Sequence, residues 1–231
     1  MIDVTYVDHM GTDLSVVNAA RVSFGKKSEA LGMSGVEGQP MTPILNDPDK
    51  KLINYLAKHK HMSPFGHAFV TFHVKAPIFV ARQLVKHKFL RWNEISRRYV
   101  DSEPEFYEPD EWRGKSKDKK QGSEGKVELR GDSFGVGYEP WWGDGSLQET
   151  TLSIYKDLIE QGVCPEQARM VLPQSMMTEW YWSGSLDAFA AMCNLRCTGD
   201  TQLEARLVAN QICNSMKELF PVSWFALRLE K

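Results

Sequence analysis

Between Arg82 and Tyr99 the chain reads RQLVKHKFLRWNEISRRY, in which six of eighteen residues are Lys or Arg and one, Glu94, is acidic. The whole protein carries 28 Lys plus Arg against 30 Asp plus Glu, so this excess of positive charge is local. His87, Asn93, Ser96 and Tyr99 add donors and acceptors of different geometry. Such a mixture suits a phosphorylated ligand with a polar head group. Cations and backbone N–H groups take phosphate, Gln83 and Glu94 reach the edge of a base or ribose, and Tyr99 stacks or donates. Local chemistry leaves two other readings open. One is a solvated basic face with Phe89 and Trp92 in the core. The other is a single-stranded nucleic-acid surface, where Arg and Lys interleave with aromatic rings, although the variety of polar types exceeds what a backbone-tracking groove needs.

The elements around this run follow from periodicity and punctuation. Residues 2–7 read as an opening strand, and Asp13 as the cap of a helix through LSVVNAARV. Residues 25–44, rich in Gly, Ser and Pro, read as a loop. Asn46 or Asp47 before Pro48 starts a helix that ends near Lys60. AFVTFHVKA alternates, with Ala68, Val70, Phe72, Val74 and Ala76 on one face, as a half-buried strand does. Pro77 opens a helix, IFVARQLVKH, on which Gln83 and His87, and Arg82 and Lys86, are four apart and share a face. FLRWNEISRRY lacks helical period and reads as a loop. Residues 113–146, dense in Gly and Lys, read as an exposed insertion or long hairpin; its lysines (115, 117, 119, 120 and 126) either fringe a substrate entrance or, the favoured reading, only keep the loop soluble. Helices follow at about 147–161 and from Pro165, a strand at Met176–Trp182, and a helix capped by Ser185. The longest helix is capped by Asp200 or Thr201 and carries a stripe of Leu203, Leu207, Ile212, Met216 and Leu219; a short one starts at Pro221. The sum is an α+β fold, a single helix-rich domain over residues 1–231 around a modest sheet, with the insertion at 113–146.

Bulk properties narrow the function. A length of 231 residues, 42% hydrophobic and 25% charged, with net charge −2, gives a sizeable core and no global field for DNA or an anionic membrane. No apolar run approaches a membrane span and no secretory signal precedes the first strand, so neither membrane nor nucleic-acid partners are expected and the location expected is cytoplasmic. The four cysteines (164, 193, 197 and 213) form no C-x-x-C pair and read as free thiols in a reducing compartment. Five of six histidines lie between 59 and 87, but their spacing fits neither H-E-x-x-H nor a carboxylate-backed triad, so no metal site is expected.

The run closely resembles the signature of the flavin-dependent thymidylate synthases: Arg-His-Arg, a seven-residue gap, Ser, then Arg-Tyr. Here Lys86-His87-Lys88 is followed by seven residues, Ser96, then Arg98-Tyr99, with Asn93-Glu94 in place. MSPFGH (62–67), HVKAPIFVARQ (73–83), AARVSF (19–24), ARMVLP (168–173) and Asn194-Leu195-Arg196 are also similar to the family, so the resemblance runs over about residues 2–220, interrupted at 113–146. Several ordered blocks are more specific than one short motif.

The resemblance implies an α+β fold with a mainly antiparallel sheet and an enzyme that methylates dUMP to dTMP. 5,10-Methylenetetrahydrofolate would donate the carbon, FAD would relay a hydride and NADPH would be the reductant, in a homotetramer with shared active sites. Ser23, Ser63, Lys86, His87, Lys88, Glu94 and Ser185 would contact FAD. Gln83, Lys86, Glu94, Ser96, Arg97, Arg98, Arg169 and Arg196 would hold dUMP. Arg196, with His61, Ser96 and Tyr99, would serve the chemistry, Arg196 by favouring ionisation at N3 of the pyrimidine. No cysteine stands in a Pro-Cys context, so no enzyme thiol nucleophile is expected. The two signature arginines are lysines here, and the late helix offers Ser185, Asp187 and Ala191 where the family commonly has Asn, Arg and Asn. The alternative these departures suggest is a nucleotide- or nucleic-acid-binding relative that has lost turnover.

Overall fold

The computed structural model describes residues 1–35, 40–100, 102–117, 122–127 and 147–228; the expected insertion beyond residue 127 therefore lies outside the described residues. The chain begins with β1 (Asp3–Met10) and α1 (Asp13–Arg21), then a small hairpin, β2 (Gly32–Ser34) and β3 (Thr42–Ile44), inside the stretch expected as loop. Helix α2 (Asp47–Lys58) starts as the sequence indicates: the Asn46 side chain accepts from the Asp49 N–H at 2.8 Å, with Pro48 in the first turn. After a 3-10 turn at Ser63–His67 come β4 (Phe69–Pro77), α3 (Ile78–Leu84) and β5 (Leu90–Glu94). A hairpin, β6 (Arg113–Lys115) and β7 (Ser123–Lys126), precedes α4 (Leu147–Glu160), α5 (Pro165–Ala168), β8 (Met177–Ser185), α6 (Leu186–Arg196), α7 (Leu203–Leu219) and α8 (Pro221–Leu227).

The main sheet runs β1-β4-β8-β5, antiparallel throughout. Alternation in β4 sets which face is buried: Val70, Phe72, Val74 and Ala76 are inaccessible to solvent. Phe72 meets Phe189 of α6 edge-on at 5.3 Å between centroids, and burying a side chain of this size contributes ~1.5–3 kcal/mol. In β8 the buried positions are Trp180 and Trp182.

Five local expectations are corrected. The helix from Pro77 ends at Leu84, a turn early, and the chain reverses through Lys86–Phe89, with Phe89 at φ 67°. This reversal lays Leu90–Glu94 against β8, so part of the expected loop is an edge strand. Its register pairs Leu90 with Gly184, Trp92 with Trp182 and Glu94 with Trp180, and the Trp92 ring stacks on Trp180 at 4.3 Å. Gly184 leaves room for this approach, since a Cβ there would meet Leu90 Cδ2. Asp13 does not cap α1; Thr12 occupies that position. Asp13 turns inward and accepts from the N–H groups of Val222 and Ser223 at 2.8 and 2.9 Å, capping α8 from across the fold. On α7 the buried stripe is Ala205, Val208, Ala209, Ile212, Cys213, Met216 and Leu219, while Leu207 is exposed. Its N-terminal cap position is Gln202 rather than Asp200 or Thr201, and the Gln202 side chain is engaged elsewhere.

Candidate active site

Helix α3 buries Val80, Ala81 and Leu84, which turns Arg82 and Gln83 to its other side. Opposite them α6 ends on Arg196 and α7 begins after Gln202. Between these elements, the β6–β7 hairpin and the strand-entry segment at Gln174 lies a cavity of about 850 Å³. Its polar lining is Arg82, Gln83, Lys86, Arg113, Ser123, Gln174, Arg196 and Gln202. Four of these are cations and none is a carboxylate, so the cavity is built for an anion, with amides to read a polar ring.

Two contacts organise its floor. Gln83 Nε2 donates to Gln202 Oε1, which accounts for the Gln202 side chain not capping α7. Arg196 Nε donates to His87 Nε2 at 3.0 Å. Half-burial first, and the Arg196 charge second, lower the His87 pKa to about 4, so the ring is neutral at pH 7 and its proton sits on Nδ1. Burial also lowers the pKa of Arg196 from its ordinary value, although a guanidinium keeps its charge.

A smaller cavity of about 280 Å³ adjoins the first through Phe79, Arg113, Ser123 and Gln202. Its wall holds Glu204, 3% exposed. Glu204 Oε1 accepts from Arg113 Nη2 at 2.6 Å and from Tyr107 Oη at 3.3 Å. Burial, then the Glu204 charge, push the Tyr107 phenol up to about 12.

Of the residues singled out in the sequence, Gln83, Lys86 and Arg196 line the large cavity, with His87 attached to Arg196. The others do not line it. Glu94 accepts from Thr178 Oγ1 at 2.7 Å and Trp92 Nε1 at 3.1 Å beside β8. Ser96 accepts from the Arg98 N–H at 3.4 Å, Arg97 donates to the Ser102 carbonyl, and the Arg98 guanidinium lies 4.9 Å over the exposed Tyr99 ring. Arg169 Nε donates to the Glu166 carbonyl at 3.2 Å. Ser23, His61, Ser63 and Lys88 are exposed, and Ser185 is half-buried at the junction of β8 and α6, where its side chain makes no cap bond. His61 lies 6.1 Å from the Tyr55 ring. The sequence reading missed Arg113, Gln174 and Gln202. Gln202 carried a faint signal, standing just before the apolar run of α7; Arg113, first in a Lys-rich stretch, carried none.

A model of the thymidylate synthase complementing protein family matches residues 5–222. The chain belongs to this family. Among its relatives named flavin-dependent thymidylate synthase, one from Thermus thermophilus is 38% identical over 223 residues, 96% of this chain and 74% of the relative. That of Thermosipho africanus is 39% identical over 215 residues, 93% of this chain and 86% of the relative. In structure the chain resembles the UMP/dUMP methylase PolB of Streptomyces cacaoi bound with 5-Br dUMP, with a TM-score of 0.73 at 29% identity, covering 98% of this chain and 94% of that one. In this frame the family signature occupies the α3–β5 reversal, with Lys86, His87 and Lys88 in the turn and Ser96 just past the strand.

Proposed function

We propose that the protein is a flavin-dependent thymidylate synthase that converts dUMP to dTMP, with 5,10-methylenetetrahydrofolate as carbon donor, FAD as cofactor and NADPH as reductant. The observation that carries this reading is the cationic cavity, without a lining carboxylate among the described residues, that joins Gln83, Lys86 and Arg196. A nucleotide monophosphate offers the matching dianion, and uracil offers edges for glutamine amides.

C5 of uracil is a poor nucleophile until electron density is pushed into the ring. Arg196 sits against the pyrimidine in this reading and stabilises the N3 anion without losing its own proton. Neutral His87 fixes the guanidinium by accepting from Nε, which leaves the rest of the fork for the base. Gln83 and Gln202 brace each other and present amides to the ring or ribose. Glu94, Ser96, Arg97, Arg98 and Arg169 are assigned to dUMP held by a neighbouring subunit. His61 and Tyr99 are assigned to the flavin and folate side of the same shared site.

The donor set fits FAD in part. Exposed Lys86 and Lys88 suit a pyrophosphate, Ser185 stands at the start of α6 with its hydroxyl uncommitted to a cap, and Ser23 and Ser63 are exposed donors. Glu94 is the acceptor among them. FAD when bound supplies the hydride chemistry that no side chain can perform. An enzyme thiol nucleophile is not needed. No cysteine lines the cavity among the described residues, and the Cys197 thiol is pushed up to about 11 by its contact with Cys193, away from the thiolate form a nucleophile needs.

A homotetramer is supported by exposed apolar side chains, including Val85 in the cavity lining at 47% and, beyond it, Phe89 at 81%, Met170 at 77% and Leu195 at 56% exposure. A second reading, binding without turnover, is favoured by Asp187, a first-turn acid of α6 whose buried Oδ1 has no hydrogen-bond partner among the described residues and which would repel a flavin phosphate brought to that helix start. The test is an absorbance spectrum followed by turnover. Purified protein is expected to be yellow and to oxidise NADPH only with dUMP and methylenetetrahydrofolate present. A protein that binds dUMP, takes up no FAD and makes no dTMP supports the second reading; a protein that binds neither FAD nor dUMP defeats both.

A further inference from the structure

Arg113 belongs to the hairpin that interrupts the family pattern, yet it lines the large cavity. Its guanidinium is anchored on two sides. Nε donates to Ser123 Oγ across the hairpin at 2.7 Å, and Nη2 donates to the buried Glu204 at 2.6 Å. Nη1 makes no hydrogen bond among the described residues. The second strand of the hairpin is docked at its start: a Cβ on Gly122, at φ 99°, would lie 3.0 Å from the Asp200 carbonyl oxygen, so Gly122 packs against the α6–α7 connection. A guanidinium held by a buried acid from the protein body and a hydroxyl from its own hairpin is pre-organised, unlike a solvated lysine.

Lys86 and Lys88 keep the charge of the family's two signature arginines and lose their planar fork, which binds phosphate through two parallel N–H bonds. Arg82 is exposed, and Arg196 is tied to His87. We propose that Arg113 binds the dianionic phosphate of the nucleotide, returning to the site the bidentate group that Lys86 cannot supply, with Glu204 and Ser123 as its positioning residues. The inference rests on the nucleotide reading given above. It makes the inserted hairpin a wall of the substrate site.

The test compares dUMP with deoxyuridine, which lacks the phosphate, by titration calorimetry on the flavin-loaded protein. R113Q is expected to weaken dUMP roughly 10- to 100-fold, the range for a charge-assisted hydrogen bond, and to leave deoxyuridine within about 2-fold. R113K should fall between R113Q and wild type. Because R113Q strands Glu204, the double variant R113Q/E204Q replaces the ion pair by a neutral amide pair; it is expected to keep the hairpin docked, hold the wild-type melting temperature and show the same selective loss. Equal weakening of both ligands would make Arg113 a structural residue and overturn the proposal. Unchanged dUMP affinity in R113Q, with wild type binding dUMP, overturns it while leaving the nucleotide reading intact. Wild type that binds no dUMP overturns both.

Discussion

The His87–Arg196 contact makes a pH prediction that can be worked through. The ring takes a proton at about 4 in the folded protein and at about 6.5 in an unfolded chain. Between these values the unfolded state binds the extra proton and the folded state does not, so stability is lost as pH falls from about 6.5 to about 4 and levels off below. At about 1.4 kcal/mol per pH unit the full difference would be ~3.4 kcal/mol. Because the ring is only half-buried and solvent screens it, roughly half of that, about 1.5–2 kcal/mol, is the expected effect. His87→Gln keeps an acceptor for Arg196 Nε and removes the titration. Urea unfolding of both proteins at pH 7 and pH 4 isolates the contribution, since the carboxylates and the other histidines are common to the two. Wild type should lose about 1.5–2 kcal/mol more than H87Q over that interval, with near-equal m-values. Parallel losses would refute the reasoning, for they would mean that His87 is solvated and that Arg196 is not lodged against it.

Three further outcomes are expected. Arg196→Ala should lower kcat for dTMP formation about 100- to 1000-fold, as loss of a preorganised charge stabiliser does, while dUMP affinity changes less than tenfold; unchanged turnover, measured by product chromatography, removes Arg196 from the chemistry. Asp13→Ala leaves the Val222 and Ser223 N–H groups without their acceptor, and because burial already raises the Asp13 pKa, part of that cost is recovered. The net should be on the order of 2 kcal/mol, read as a melting temperature lower by ~4–8 °C. Lys86→Arg should alter dUMP affinity less than about threefold in wild type yet restore about tenfold in the R113Q background, the signature of two groups sharing one phosphate; additive effects in this double-mutant cycle would argue that they act separately.

What was legible in the sequence follows the physics of each element. Strand β4 was readable because its alternation is carried by residues that are all fully buried, and α2 because Asn46 and Pro48 are local start signals that nothing overrides. β5 was not readable. Its pairing partner β8 lies more than eighty residues away in sequence, and Trp92 reads as strand only once Trp180 is beneath it. Asp13 misled for the same reason: an acid at a helix start usually caps that helix, and here the carboxylate is taken by backbone N–H groups some two hundred residues later. The expected apolar stripe of α7 differs from the buried one because leucines outweigh alanines in a hydrophobic pattern, while the fold buries Ala205 and Ala209 and leaves Leu207 exposed.

The candidate site divides along the same line. Gln83, Lys86 and His87 are adjacent in sequence and share a helix end, so their association was visible as a pattern. Arg196 joined them through the family's ordered blocks, not through any local property, because a lone Arg at a helix C-terminus ordinarily serves only the macrodipole. Arg113 had neither route. Its partner Glu204 is buried at the start of α7, 91 residues away, and no composition or spacing links a Lys-rich hairpin to a buried glutamate. The two guanidiniums that matter most share one design: each lines the cavity and is fixed by a group that does not line it, His87 for Arg196 and Glu204 for Arg113. Lys86 and Lys88 at the α3–β5 reversal are exposed and have no such anchor among the described residues, so each offers a point charge without a fixed fork. If Arg113 holds the nucleotide phosphate as proposed, that difference is how the site would accommodate Lys86 and Lys88: the geometry they lack is supplied by an arginine held elsewhere, provided its anchor is buried.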